Sequence, residues 1–349
     1  MTEVYVDPAD FPQVWQKPNF EDLLACLRQL RTKPQVWKSA ALKENAECAS
    51  RNNARSRREI TSYLSSIVGN GLLWIDDDDQ KEIIWEEASR CLSERCGRAG
   101  MGEMIRTWPF TSRDNPFELI IREPPIIGDS IGHKTWGSSY RMAHLLDDIS
   151  ADSLSHLFGI QTPKPKILEL GSGTGLLGMA AAAMWSSEVV LSDLPSILSN
   201  LDFNIGQNQA TIQSLGGSVS SAAALTWGSE NGNDTRFDVR NQFDIILAAD
   251  GIYDDDHPSL LASAIHQHLR RTLSSRALII TPIRDQITQK LISQFKSNMT
   301  HGDLPLLLLE EHRVNGQDEW GQDGENQEVE CWWAIFGRHS KDFRCTYEI

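Results

Sequence analysis

Three glycines at alternate positions, Gly171, Gly173 and Gly175, separate the apolar run "KILEL" from a second apolar run that begins at Leu176. Without a Cβ, such residues let a chain fold back sharply and bring its backbone against a ligand. Gly173, Gly175 and Gly178 also satisfy G-x-G-x-x-G, the spacing of dinucleotide-binding turns. An acid, Asp193, closes the next apolar run about 20 residues on, where it could grip the hydroxyls of a ribose. A second acid, Asp250, and Tyr253 follow a later run in "AADGIYD". Residues of these types at these spacings describe a nucleoside-like ligand held on a turn, with a carboxylate and a phenol beside it.

Three features separate the ligands such a turn could hold. Glu169 lies in the first run, two residues before the turn. A carboxylate there would repel a pyrophosphate and attract a ligand bearing an ammonium and a sulfonium. No lysine follows the turn, and no G-x-x-x-x-G-K-[ST] occurs, which leaves nucleoside triphosphate chemistry without its usual parts. Asp250 and Tyr253 fall at the carboxyl end of a strand, where open α/β sheets bind ligands. Together these favour S-adenosylmethionine, with a nicotinamide dinucleotide as the competing reading.

The elements that would position these residues alternate. "KILEL", "EVVLSD", "FDIILAAD" and "RALIIT" read as near-continuous apolar strands, separated by helical stretches at Leu176–Trp185, Pro195–Asn204 and Ser259–Leu273. That pattern implies a parallel sheet covered on both faces. "LPLLLLEEHRV" and "VECWWAIFGR", joined by the polar loop Asn315–Glu328, read as a terminal antiparallel hairpin in which Trp332 and Trp333 pack. The expected fold is α/β: a Rossmann-like sheet of seven strands over residues 116–349, preceded by a helical extension over 1–115.

Helical spacing in that extension links Phe20, Leu23, Leu24, Leu27 and Leu30, then Ile60, Leu64 and Ile67, then Ile83, Ile84, Ala88 and Leu92. Helices are expected up to about Pro109, and Asp76–Asp79 suits the positive end of a helix dipole. "FELIIREPPII" reads as a strand closed by prolines, and Ser229–Thr235 as a mobile surface loop. Asp254–Asp256 and His257 read as a helix cap, with Pro258 in the first turn.

The 349 residues carry a net charge of -15, which argues against binding nucleic acid or an anionic membrane. The opening "MTEVYVDPAD" lacks the pattern of a secretory signal, and the longest apolar stretch is about half of what a membrane helix needs. Six cysteines are scattered without metal spacing, as expected of free thiols in a reducing, cytoplasmic setting.

"ILELGSGTGLLGM", "SDLPSILSNLDFNI", "LTWG", "FDIILAADGIYD" and the upstream "KTWGSSYRMAHLL" resemble successive motifs of the seven-β-strand protein-lysine methyltransferases, the methyltransferase-like 21 group. The shared motifs span about Trp136 to Arg284. The helical extension, "REPP" and "KTWGSS" are most similar to the fungal enzymes that methylate a lysine of translation elongation factor 2. The resemblance implies cofactor contacts from Trp136, from the turn residues Gly171, Ser172 and Gly173, from Asp193 on the ribose, from Trp227 beside the adenine and from Ala249. It also implies a protein substrate, elongation factor 2. No metal site is expected, since the cysteines lack zinc spacing and His266 and His268, two apart on a helical stretch, point to different faces. The chain departs from the group at Ala248, where glycine is common and an added methyl group could narrow the pocket.

Methyl transfer to lysine needs a neutral amine, yet only about one free lysine in a thousand is neutral at pH 7. An apolar channel and a nearby sulfonium both disfavour the ammonium. Asp250 and Tyr253 are the candidate catalytic residues, the acid to align the amine and the phenol to wall the channel. Other readings stay open: Trp136 and Trp227 as core aromatics, Asp250 as a turn cap, another nucleophile as acceptor, or a non-catalytic scaffold of the same fold. The helical extension is expected to read the substrate surface, or else to complete the core.

Overall fold

The computed structural model describes residues 8–31, 58–96, 102–112, 115–125, 131–159, 162–229, 231–301, 304–318 and 327–338. The chain divides into two compact units, with the break after Gly102.

The first unit is helical, as the spacing requires. Asn19 caps helix α1 (Phe20–Gln29), its side chain accepting from the Asp22 N–H at 2.9 Å. Asp77 does the same for α3 (Asp78–Ser93), accepting from Asp79 and Gln80, so the acidic run starts a helix. These two helices and α2 (residues 58–68) enclose a core of Leu23, Leu27, Leu64, Ile67, Ile84 and Ala88, each 0% exposed. At about 1.5–3 kcal/mol per large side chain, that burial is enough for the unit to organise around its own core.

The second unit opens on a hairpin where the sequence suggests the end of a helical region. Strands β1 (Met104–Ser112) and β2 (Asn115–Glu123) pair antiparallel, with Trp108 opposite Leu119. The expectation of helices up to Pro109 fails because β1 alternates strictly in burial while its apolar pattern does not. Arg106 is buried and Ile105 is exposed, which hides the period of two. The division expected between 115 and 116 therefore falls inside a hairpin.

The main sheet contains β3 (Lys166–Leu170), β4 (Glu188–Asp193), β5 (Ser218–Val219), β6 (Ala223–Ala224), β7 (Ile245–Ala249), β8 (Arg276–Ile283), β9 (Leu307–Asp318) and β10 (Gln327–Gly337). Seven of them follow one path, β5-β4-β3-β7-β8-β10-β9, and β6 pairs with the far end of β4. Pairing is parallel from β5 to β8; β10 runs antiparallel to both β8 and β9. This is the expected Rossmann-like methyltransferase order closed by an antiparallel hairpin. Trp332 and Trp333 are buried in that hairpin, whose loop residues 319–326 lie outside the described residues.

After the short helices α4 (Gly137–Ala143) and α5 (Leu146–Ala151), helix α6 (Leu176–Trp185) is apolar on every side and every residue of it is buried, as a helix enclosed in a core must be. On α7 (Leu198–Ser214), Asn200, Asn204 and Asn208 recur every four residues and form a ladder along the edge of β2. Asn208 exchanges bonds with Ile120 N–H and C=O at 2.8 and 2.7 Å, and Asn204 with those of Arg122 at 2.8 and 3.1 Å. Three side-chain amides thus replace a neighbouring strand and satisfy backbone groups that would otherwise be left open. Asn204 also donates to Thr174 C=O at 3.0 Å, tying the hairpin to the glycine turn.

In the stretch 229–235, of which residue 230 lies outside the described residues, several side chains are bonded. Thr226 N–H donates to Asn233 Oδ1 at 2.9 Å, Asn233 donates to Ser229 C=O at 2.7 Å, and Asp234 pairs with Arg236. Cys26, Cys91, Cys96 and Cys331 are free thiols, whereas Cys48 and Cys345 lie outside the described residues. Among the described residues no cluster of His, Cys, Asp and Glu could hold a metal ion, and no helix is long and apolar enough to cross a membrane.

Candidate active site

Strand order reverses at β3, which has β4 on one side and β7 on the other. A crevice at the carboxyl ends of such strands is where open α/β sheets bind ligands. The turn after β3 places Gly171, Gly173 and Gly175 at φ of 68°, 54° and 85°, a region that costs other L-residues about 1–2 kcal/mol. Two of these glycines also leave room. A Cβ on Gly173 would lie 3.0 Å from Gly132 C=O, and one on Gly171 would lie 3.3 Å from the Trp227 ring.

Asp193, ending β4, accepts from the Gly173 N–H at 2.7 Å and from the Leu194 N–H at 2.7 Å. Burial pushes its carboxyl above the usual range, opposed by these two N–H groups and by the His133 charge. A carboxylate has roughly four lone-pair sites, so two hydroxyls could still be held. Ser172 behaves differently. Its hydroxyl contacts Glu169 C=O at 3.4 Å and accepts from Ser192 N–H at 3.1 Å, which ties the turn to β3 and β4. Ser172 thus shapes the turn through its side chain, and its N–H donates to Ser192 C=O at 3.0 Å.

Glu169 does not line the crevice as the charge argument supposed. It is 1% exposed, accepts from the Gly178 N–H inside α6 at 3.1 Å, and is pushed up by burial to about 8. Gly178 is glycine for the same reason: a Cβ there would meet Glu169 Oε2 at 2.5 Å and Leu191 at 2.2 Å.

On the other side of the turn an aromatic group forms. The half-buried Trp227 ring lies over Gly171 and against Gly251, where an added Cβ would be 3.2 Å away. His257 meets Trp227 edge-on at 6.0 Å and Tyr253 at 4.3 Å between ring centroids. Burial holds the imidazole below its ordinary value, with the Asp254 and Asp256 charges opposing. His257 is therefore more than part of a cap; it joins the two aromatic residues. Tyr253 remains 54% exposed, and burial, then the charges of Asp193, Asp250 and Asp254, push its phenol upward.

Asp250 follows β7 with φ 55°, an uncommon conformation that aspartate tolerates better than most residues. Its N–H donates to Ile280 C=O at 2.9 Å, so pairing with β8 fixes the turn. The side chain is 7% exposed and accepts two bonds from Arg284, Nη1 to Oδ1 at 3.2 Å and Nη2 to Oδ2 at 2.9 Å. The Arg284 guanidinium lies 5.2 Å from the Trp136 ring centroid, and Lys134 Nζ lies 4.5 Å from it. Trp136 itself is half-buried, its indole N–H donating to Ile131 C=O at 3.2 Å.

The predicted residues thus gather at one sheet edge in three linked groups. Gly173 joins Asp193, Gly171 joins Trp227 and through His257 Tyr253, and Asp250 joins Trp136 through Arg284. Ala249 is half-buried at the end of β7, whereas Ala248 is 1% exposed within the core cluster. The methyl group of Ala248 therefore fills core space and does not narrow the crevice. Arg284, His257 and Lys134 were not singled out as site residues from sequence. Arg284 follows "RALIIT" at the end of its strand, and that position was the available signal.

Residues 114–298 match the family model described as lysine methyltransferase, just over half of the chain. The protein-lysine N-methyltransferase EFM2 of Saccharomyces cerevisiae is 29% identical over 279 residues, covering 76% of this chain and 63% of that protein. The protein-lysine N-methyltransferase rrg1 of Schizosaccharomyces pombe is 26% identical over 337 residues, 96% of this chain and 99% of its own length. The mouse protein-lysine methyltransferase METTL21E is 28% identical over 187 residues, 53% of this chain and 66% of that protein. The Cβ-free cradle at Gly171 and Gly173, the acid at Asp193 and the Trp227 ring suit an S-adenosyl nucleoside. The chain belongs to the lysine methyltransferase family, whose methyl donor is S-adenosylmethionine.

Proposed function

We propose that this protein methylates the side-chain amine of a lysine on translation elongation factor 2, in the cytoplasm. The observation that carries the reading is the placement of two acids after the strands that flank β3: Asp193 at the end of β4, bonded to the glycine turn, and Asp250 after β7, near Tyr253. The turn and Asp193 would hold the ribose and methionine portions, and Trp227 would cover the adenine. When bound, S-adenosylmethionine supplies a methyl group already activated on a sulfonium. The protein's own work is then to orient the amine and keep it unprotonated. The Tyr253 ring walls one side of the lysine's path, and water is excluded by Trp136 and Trp227. Neither Asp250 nor Tyr253 needs to be a strong base, because the amine can release its proton before it reaches the crevice.

The choice of substrate is supported by the "REPP" and "KTWGSS" segments and by a helical unit of its own core, which would read the surface of a folded partner. Incubating the full chain with recombinant elongation factor 2 and methyl-labelled S-adenosylmethionine tests this. A single modified lysine, absent with Asp193→Ala, is expected. Label on other proteins with none on elongation factor 2 would reject the substrate and leave the lysine chemistry standing.

A further inference from the structure

A lone carboxylate beside the target amine would work against the reaction. It favours the ammonium, and only the neutral amine has a lone pair to donate. Asp250 is placed where the lysine is proposed to arrive, and a bare negative charge there would make the lysine a tighter ligand but a worse nucleophile. The structure does not leave it bare. Arg284 meets it in a two-bond fork at 2.9 and 3.2 Å, with the same guanidinium 5.2 Å from the Trp136 ring. A guanidinium stays charged at every accessible pH and holds a carboxylate in a fixed plane, which an ammonium does not.

We propose that Arg284 is a positioning residue of the methyl-transfer site: it fixes the Asp250 carboxylate and offsets its charge, so that an amine which has given its proton to solvent stays neutral beside it. This inference rests on the lysine reading above. Among the described residues, other charged or titratable groups stand near the place. Asp193 on β4 is engaged by the Gly173 and Leu194 N–H groups, and His133 lies close enough to feel its charge. Lys134 sits over Trp136, and its cation acts in the same sense as Arg284. Tyr253 and Asp254 follow β7, and His257, the first residue of helix α8 (His257–His268), is kept towards its neutral form by burial. Of these, Arg284 is the cation in a two-bond fork with Asp250.

The test is the pH dependence of kcat, which reports groups in the bound complex, for methylation of recombinant elongation factor 2 by the full chain at saturating protein and S-adenosylmethionine, between pH 6 and 10. Wild type, Arg284→Gln and Arg284→Lys are compared, with S-adenosylmethionine affinity measured by calorimetry. Arg284→Gln is expected to move the acidic limb up by about one pH unit. That corresponds to about a tenfold loss at neutral pH, with lower KM for the protein and cofactor affinity within about twofold. Arg284→Lys, which keeps the charge, is expected to keep the limb within about 0.3 unit while kcat falls. A limb that stays in place in Arg284→Gln, whatever happens to the rate, would reduce Arg284 to a brace and overturn the proposal. If Arg284→Gln does not fold, a limb displaced upward in Arg284→Lys overturns it and a limb left in place supports it. Wild-type protein that transfers no label to any protein lysine removes the underlying reading, and this inference with it.

Discussion

Glu169 offers a stability test that is independent of activity. Its carboxyl is 1% exposed, bonded to the Gly178 N–H, and raised by burial to about 8 from an ordinary 4.5. An acid with a raised value binds its proton more tightly in the folded state. Its contribution is therefore complete below pH 4.5 and is lost as pH rises towards 8, where the buried group must ionise. In the window between, the unfolded chain is ionised and the folded one is not, so stability falls by about 1.4 kcal/mol per pH unit. Glu169→Gln keeps the acceptor for Gly178 and cannot ionise. Measured by urea unfolding with near-ultraviolet circular dichroism, the stability of the variant relative to wild type should rise by about 3 kcal/mol between pH 5.5 and 7.5. Because other titrating groups are common to both proteins, they cancel in the difference. A difference that does not change with pH would mean that Glu169 is ionised in the fold, and the reasoning about its burial would be wrong.

Gly173→Ala places a Cβ 3.0 Å from Gly132 C=O at φ 54° and should weaken S-adenosylmethionine binding by calorimetry about tenfold or more. Asn204→Ala removes the side-chain bonds to Arg122 N–H and Thr174 C=O and one of the two amide donors to Arg122 C=O, and a loss of about 2–4 kcal/mol is expected in urea unfolding. Asp193→Asn keeps the shape but loses the charged acceptor, so cofactor affinity should fall about 10- to 100-fold with the melting temperature little changed. Deleting the helical unit, residues 1–102, should abolish modification of intact elongation factor 2 while cofactor binding persists; loss of all soluble protein would show that the unit completes the fold instead.

The parallel strands β3, β4, β7 and β8 were legible because they are buried on both faces and therefore read as unbroken apolar runs, whereas the two-residue β5 and β6 were not. Asp193, Asp250 and Trp227 were legible because position at a strand end, or a short motif around an aromatic residue, survives in one dimension. The hairpin of β1 and β2 was not. Its buried face includes Arg106, its exposed face includes Ile105, and its edge is completed by asparagines about 80 residues away. Glu169 was legible as an acid within the strand but not in its direction, since the faces of a strand buried on both sides look alike in sequence. Arg284 and His257 were missed because their roles come from partners, Asp250 and the two aromatic rings, that only the fold brings to them. Polar residues with long-range partners carry no local period, and their pairing is set by topology.

Whether methyl groups reach a protein lysine is settled most directly by adding the full chain and labelled S-adenosylmethionine to an untreated cell extract, then locating the label by mass spectrometry. Label in one protein band, on a lysine, and none with Gly173→Ala is the expected result. Label confined to nucleic acid or small metabolites would contradict it.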